Sequence, residues 1–317
     1  MDASEALRVC LGNAGAVNRC DVVIVNFNAG RFLTDAVESV LRSRSVAHIY
    51  VVDNASTDAS LDLLPQGHDD RLTIIRNTAN LGFAAACNLG LTRAASDNML
   101  LLNPDCSVME GAIDRLITAL QSADRVGMVG PLLLNPDGSE QAGGRRKLPM
   151  PSLVLARATG AARLRRLLPF GVPDFLLHRD PLPEGPVEVE AISGACMMVR
   201  RETIADIGLL DEGYFLHAED LDWCVRAWRR HWKILFVPDA KVIHHKGVSS
   251  RTQPLTVEYY KHSAMLRFYR KLLGETYPRW LLALVAAGVW TRFGGIAALH
   301  LLSRAAERIR GVFRSAS

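Results

Sequence analysis

"DVVIVNFN", Asp21 to Asn28, is a β-branched run that ends in polar residues. "RFLTDAVESVLRS", Arg31 to Ser43, follows with Phe32, Leu33, Val37, Val40 and Leu41 at helical spacing. A run of this kind reads as a buried strand and the stretch after it as an amphipathic helix. The unit then recurs. "HIYVVDN" (48–54) is a strand, and "STDASLDLL" (56–64) reads as a short helix capped by Ser56 or Thr57. "RLTIIRN" (71–77) precedes the small-residue helix "FAAACNLGLTRAA" (83–95), and "NMLLLN" (98–103) precedes "EGAIDRLITALQS" (110–122). Strands alternating with helices of this length predict an α/β fold with a mostly parallel sheet. Ligands of such sheets bind beyond the carboxyl ends of the strands. The polar residues at those ends are Asn26, Asn28, Asp53, Asn54, Asn77, Asn80, Asn103 and Asp105.

The rhythm breaks between about Gly143 and Gly185, where prolines accompany the basic clusters "GGRRK" and "ARLRRLL". This stretch (143–186) is expected to be a basic, inserted or mobile region. "VEVEAISGACMMVRR" (187–201) reads as two strand pieces around a Ser-Gly turn, and "EDLDWCVRAWRRHW" (219–232) as a helix with Leu221, Cys224, Val225, Trp228 and Trp232 on one face. "KILFVPDAKVIHH" (233–245) suggests two strands. In the tail, "RWLLALVAAGVW" (279–290) is interrupted by "TRF", then "GGIAALHLLSRAAERIRGVF" (294–313) is apolar on one side and basic on the other. Neither piece reaches the roughly 20 apolar residues of a simple membrane span. Two readings stay open: a helical hairpin packed on the domain, or an interfacial element touching a membrane. The expected division is a catalytic domain over 20–252 and a C-terminal helical extension over 253–317.

The 317 residues are 49% hydrophobic and 22% charged, which suits one large domain with or without an appendage. The net charge of +4 comes without any nucleic-acid motif, so no nucleic-acid partner is expected. The six cysteines show no zinc spacing, which points to reduced thiols, and the first twenty residues lack the apolar core of a signal peptide. Where a dinucleotide fold would carry G-x-G-x-x-G after the first strand, "NFNAGR" stands instead, which argues against a nicotinamide-dependent dehydrogenase.

Five constellations carry chemistry. Asp53 closes a strand and can accept a hydrogen bond from an imide or hydroxyl. Gly82, between Asn80 and a run of alanines, lets a helix approach a ligand or the sheet closely. Asp105 in "LLNPDC" is either a turn-former or an oxygen ligand for a hard cation. Glu219, Asp220 and Asp222 crowd a helix N-terminus: the helix dipole favours their charged forms, while mutual repulsion raises a carboxyl pKa toward that of a general base. "VIHHKGVSS" (242–250) ends a strand in His244 and His245, with Ser249, Ser250 and Arg251 available to phosphates.

From Val22 to Ser250 the chain resembles the family 2 glycosyltransferases, in their bacterial rhamnosyltransferase-like branch. Five ordered blocks carry the resemblance: "VVIVNFN", "VVDNASTDAS", "NLGFAAACNLG", "LLNPDC" with "VGMVGP", and the long block from "GACMMVRR" to "HHKGVSS". The resemblance implies a GT-A fold with a mixed, mostly parallel central sheet, the 143–186 region on the acceptor side, and inverting transfer of a sugar, rhamnose from dTDP-rhamnose in the first instance, to a glycan or lipid-linked acceptor during surface polysaccharide synthesis. A UDP-hexose or UDP-N-acetylhexosamine transferase and a catalytically degenerate scaffold are its alternatives. It makes Phe27 the aromatic against the nucleobase, Asp53 the base-recognising carboxylate, and Asn80, Gly82, Asn88 and Asn103 donor-binding residues. Asp105 and His244 become ligands of a divalent metal, Mg or Mn, and Asp220 the general base. Glu219, Asp222 and Ser249 are supporting residues. Asn103 replaces the first acid of the family's Asp-x-Asp, which removes one charge from the metal site. A cytoplasmic enzyme at the inner face of the membrane is the expected setting.

Overall fold

The computed structural model describes residues 19–64, 70–149, 176–247, 254–274 and 278–315. Strands β1 (Cys20–Asn26), β2 (Val46–Asp53), β3 (Leu72–Arg76) and β4 (Asn98–Leu102) pair in parallel in the order β3-β2-β1-β4. Helices α1 (Arg31–Leu41) and α2 (Phe83–Leu91) supply the crossovers. Beyond β4 the sheet continues through β10 (Cys196–Arg200), β6 (Val126–Leu134), β11 (Lys233–His244) and β5 (Cys106–Val108). Here β10 runs antiparallel to both neighbours, β11 runs parallel to β6, and β5 is antiparallel to β11. The short β8 (Val187–Glu188) pairs with β11, while β7 (Arg145–Arg146) and β9 (Ala191–Ile192) form a separate ribbon.

Every residue of β1 is buried, because both faces of the sheet are covered. Val22 and Ile24 pack toward α1 and α3 (Ala112–Leu120). Val23 and Val25 pack toward α2, α5 (Glu219–Arg229) and α6 (Pro254–Leu273) on the other face. The alanines of α2 allow its close approach: a Cβ on Gly90 would fall 2.4 Å from Val23 Cγ1. The short α4 (Arg201–Ile207) follows β10 directly.

Several expectations need correction. Residues 56–64 form turns rather than a capped helix, because their hydroxyl and carboxylate groups bond back to the end of β1. "KILFVPDAKVIHH" is one strand with an irregularity between Val237 and Lys241, not two. In α5 the buried aromatic is Trp223; Trp228 is 60% exposed, and Trp232 lies beyond the helix. The tail is one helix, α7 (Arg279–Ser315), since Thr291–Arg292–Phe293 continues the helical backbone without a break. Trp290 and Phe293 of α7 pack on Tyr259 of α6, and Phe293 also meets His262. Arg145 and Arg146, at the start of the basic stretch, are held by the protein: Arg145 is buried against Glu140 and the carbonyls of Asp180 and Pro181, and Arg146 pairs with Asp220. Most of the 143–186 stretch lies outside the described residues, as do Cys10 and Ser249.

Candidate active site

The carboxyl ends of β1 and β2 meet through Asn26, whose Nδ2 donates to Asp53 Oδ1 at 2.8 Å and to Ser60 Oγ at 2.8 Å. Ser56 N–H donates to the second carboxylate oxygen of Asp53 at 3.2 Å. Asp53 is thus oriented by one donor per oxygen, and each oxygen keeps a free lone pair. Half-buried Phe27 follows Asn26 directly. Asn28 has φ 52° and its Oδ1 accepts from Thr57 N–H at 2.7 Å; Ala55 has φ 60°. Left-handed non-glycine backbone of this kind concentrates at ligand sites.

Next to this corner an asparagine ladder fixes the entry to α2. Asn77 Nδ2 donates to Asn54 Oδ1 at 2.9 Å, and Asn54 Nδ2 donates to Asn80 Oδ1 at 3.2 Å and to the Gly82 carbonyl at 3.0 Å. Gly82 N–H donates to Asn80 Oδ1 at 3.0 Å. Gly82 adopts φ 85°, and a Cβ there would lie 2.7 Å from the Phe215 carbonyl oxygen. The next residue, Phe83, donates its N–H to that same oxygen at 2.7 Å. Asn88 does something other than bind a donor. Its Nδ2 donates to the Leu210 carbonyl and to Glu212 Oε1, both at 2.9 Å, and its Oδ1 accepts from Leu210 N–H at 3.1 Å. A buried amide so occupied clamps α2 to the 208–213 segment.

Asp105 and His244 come together from β4's end and β11's end, with Asp105 Oδ1 3.2 Å from His244 Nε2 and both side chains buried. On the far side of the ring, His244 Nδ1 lies 2.6 Å from Gln141 Oε1. Gln141 Nε2 donates to Asn135 Oδ1 at 3.0 Å and to the His244 carbonyl at 3.1 Å, which fixes the amide's orientation. Nδ1 therefore carries a proton toward Gln141 Oε1, and Nε2 is the nitrogen that faces the Asp105 carboxylate. Such a juxtaposition fits a cation held between nitrogen and oxygen ligands. Cys106 Sγ also lies near. Burial first, then the Asp105 charge, pushes its thiol well above the usual range, and it donates to the Ala195 carbonyl at 3.4 Å, so it is a poor ligand. Asn103 contributes backbone: its N–H donates to the Ala195 carbonyl at 2.8 Å, and its half-buried side chain flanks Asp105.

The Ser193–Ala195 turn reaches the helix N-terminus as well. Gly194 N–H donates to Asp220 Oδ2 at 3.0 Å, Arg146 Nη2 pairs with the same oxygen, and Leu221 N–H donates to Oδ1 at 2.7 Å. One turn thus anchors both the Asp105 corner and Asp220. His217 and Ala218, at φ 71° and 65°, form the strained entry to α5. Glu219 is buried, and burial first, then the Asp220 charge, raises its carboxyl to about 8. It is a neutral neighbour at pH 7. Asp222, expected beside Asp220, is spent elsewhere: it meets Arg226 Nε at 2.9 Å and Lys271 Nζ at 2.5 Å. Sequence reading also missed Gln141 and Arg146, since a glutamine in a loop and an arginine in a basic run carry no spacing signal.

The mixed sheet with these residues at its carboxyl edge defines a nucleotide-sugar transferase architecture. The same fold is seen in the mannosyltransferase PcManGT of Pyrobaculum calidifontis, solved with GDP-Man and Mn2+ (TM-score 0.55, 15% identity, 91% of this chain and 79% of that one). It is also seen in GalNAc-T7, solved with UDP, GalNAc and Mn2+ (TM-score 0.54, 22% identity, 72% of this chain and 44% of that one). Residues 21–207 match glycosyl transferase family 2, and the chain belongs to that family, an enzyme that transfers a sugar. It is 29% identical, over 90% of its length and 94% of the relative's, to the N-acetylglucosaminyl-diphospho-decaprenol L-rhamnosyltransferase of Mycobacterium tuberculosis. It is 27% identical, over 72% and 67%, to the low-salt glycan biosynthesis hexosyltransferase Agl10 of Haloferax volcanii.

Proposed function

We propose that the chain is an inverting transferase that moves rhamnose from dTDP-rhamnose to a hydroxyl of a lipid-linked glycan, at the cytoplasmic face of a membrane, in surface polysaccharide synthesis. Residues 20–252 are its catalytic domain. The observation that carries the reading is the Ser193–Ala195 turn, which holds Asp220 and the Asn103–Asp105 corner in one frame. Asp220 takes the acceptor hydroxyl's proton as that oxygen attacks the anomeric carbon, and the bond to the diphosphate breaks with its electron pair. Single displacement suits the surroundings of Asp220, because Glu219 is protonated at neutral pH and Asp222 is committed to Arg226 and Lys271. Asp53 and Phe27 take the nucleobase; Asn80, Gly82 and Asn103 border the donor. Asp105 and His244 would hold a divalent metal, Mn or Mg, which when bound offsets the charge of the leaving diphosphate.

Asp53 would accept from an imide that uracil and thymine share, so the UDP-sugar reading is tested beside the dTDP one. Nucleotide release is measured with dTDP-rhamnose, UDP-galactose and UDP-N-acetylglucosamine, each with Mn, with Mg and with chelator. The reading expects dTDP-rhamnose turnover that needs metal and an acceptor. Turnover confined to a UDP-sugar would replace the donor, and absence of nucleotide binding with metal present would favour a scaffold.

A further inference from the structure

Behind the turn that leads to Asp220 lies a cavity of about 550 Å³, within the roughly 300–1,000 Å³ range of small-molecule sites. Its walls are Tyr214 and Phe215 on one side, Tyr259, Tyr260 and Arg270 of α6 on another, and Trp290 of α7 at its edge. Phe215 stacks on Tyr260 with ring centroids 4.2 Å apart and planes 20° apart, which makes a rigid wall. Tyr259 is 46% exposed and Trp290 38%, so both keep ring surface open to a ligand.

The charge on this lining has one sign. Arg267, Arg270 and Lys271 line it, and no acid does among the described residues. Arg267 and Lys271 are already neutralised, Arg267 by Asp211 at 2.9 Å and Lys271 by Asp211 at 2.7 Å and Asp222 at 2.5 Å. Arg270 is exposed and has no acidic partner among the described residues. Open aromatic faces beside an unneutralised guanidinium suit a sugar ring that carries an anionic substituent.

The position links the cavity to the reaction. The Phe215 carbonyl receives the Phe83 N–H at the start of α2, directly after Gly82 on the donor side. His217 and Ala218 then carry the chain from the cavity wall to Asp220. At the cavity's edge, Trp290 belongs to the helix that also exposes Leu284, Leu299, Leu301 and Leu302.

We propose that this cavity binds the acceptor, with the sugar on the Tyr259 and Tyr260 rings, the diphosphate of its carrier on Arg270, and the lipid leaving along α7. The assignment rests on the chain being a transferase to a lipid-linked glycan.

The test uses the full chain with bound nucleoside diphosphate and a soluble probe, farnesyl diphosphate-linked N-acetylglucosamine, titrated calorimetrically. The free methyl glycoside of the same sugar and farnesyl diphosphate are the comparison arms. The wild type is expected to bind the probe at least tenfold more tightly than either arm. Tyr259→Ala and Arg270→Ala should each weaken probe binding at least tenfold while nucleotide affinity stays unchanged. Tyr259→Phe should bind as wild type, and Arg270→Lys should recover part of the loss. Thermal midpoints establish that the variants fold, and the two conservative variants keep the test open if an alanine variant does not. Wild-type binding of the donor with probe affinity unmoved by these changes overturns the cavity assignment alone. Failure of the wild type to bind any nucleotide sugar overturns the transferase reading and the cavity with it.

Discussion

Gln141, whose Oε1 lies 2.6 Å from His244 Nδ1, decides which nitrogen of His244 faces Asp105. Replacing it with leucine removes the acceptor that holds Nδ1–H and frees the ring to change tautomer. Gln141→Leu is therefore expected to raise the metal concentration for half-maximal activity by about 10–100-fold, with activity recovered at high metal. A loss that no metal concentration repairs would assign Gln141 a role in folding alone. Asp220→Asn keeps the shape of the base but cannot take a proton, so transfer should fall about 10²–10⁴-fold while donor affinity holds. Near wild-type transfer in that variant would remove Asp220 from the mechanism. Glu219 gives a pH signature. Its carboxyl moves from a usual value of 4.5 to about 8 on folding, so between those values the folded state binds a proton that the unfolded state has lost. Stability from this group is complete below 4.5 and declines as pH rises toward 8, by at most about 1.4 kcal/mol per pH unit. Glu219→Gln should flatten the fall of Tm across that window, and an unchanged slope would refute the assignment.

At the scale of elements, the strand and helix rhythm of the first half was legible because β1 and β4 are buried throughout, and β2 over its last three residues, and such strands must be continuous apolar runs. The 56–64 segment was not. Ser56, Asp58 and Ser60 carry the composition of a helix cap, but their partners are Asn26, Asn28 and Gly30, some thirty residues away in sequence. Local propensity cannot register such bonds. Asp222 failed for a similar reason: its i,i+4 Arg226 was visible in the sequence, whereas Lys271 of α6 was not. Asp105 and His244 were legible as strand-end residues, and their meeting depends on β5 pairing antiparallel with β11 through Cys106 and His244. The α2 N-terminus offers a prediction at this scale. Gly82→Ala forces a side chain into φ 85° and against the Phe215 carbonyl, so it should cost about 1–3 kcal/mol. Urea unfolding reads this as a lower midpoint at unchanged m. An unchanged midpoint would mean that the Phe215 turn gives way instead.

At the scale of the whole molecule, α7 sets how the enzyme meets its surroundings. Arg279–Leu302 has a mean hydropathy of 1.6 over its most apolar part, and none of that part is buried in the protein. Twenty-four helical residues extend about 36 Å, enough to cross the roughly 30 Å hydrocarbon core. Length therefore permits a span, and one charge weighs against it. Arg292 stands near the middle of the stretch, where an arginine costs about 2.5–3.5 kcal/mol to insert. Arg304, Arg308, Arg310 and Arg314 follow it, a composition drawn to anionic headgroups. Lying in the interface, α7 can bury Leu284, Leu299, Leu301 and Leu302 and leave Arg292 at headgroup level. The full chain is thus expected to float with vesicles containing phosphatidylglycerol, to bind neutral vesicles more weakly, and to leave membranes in alkaline carbonate. Truncation after Pro278 should abolish flotation and leave dTDP-rhamnose binding intact. Resistance to carbonate would show that α7 spans despite Arg292, and flotation of the truncated chain would move the membrane contact away from α7 altogether.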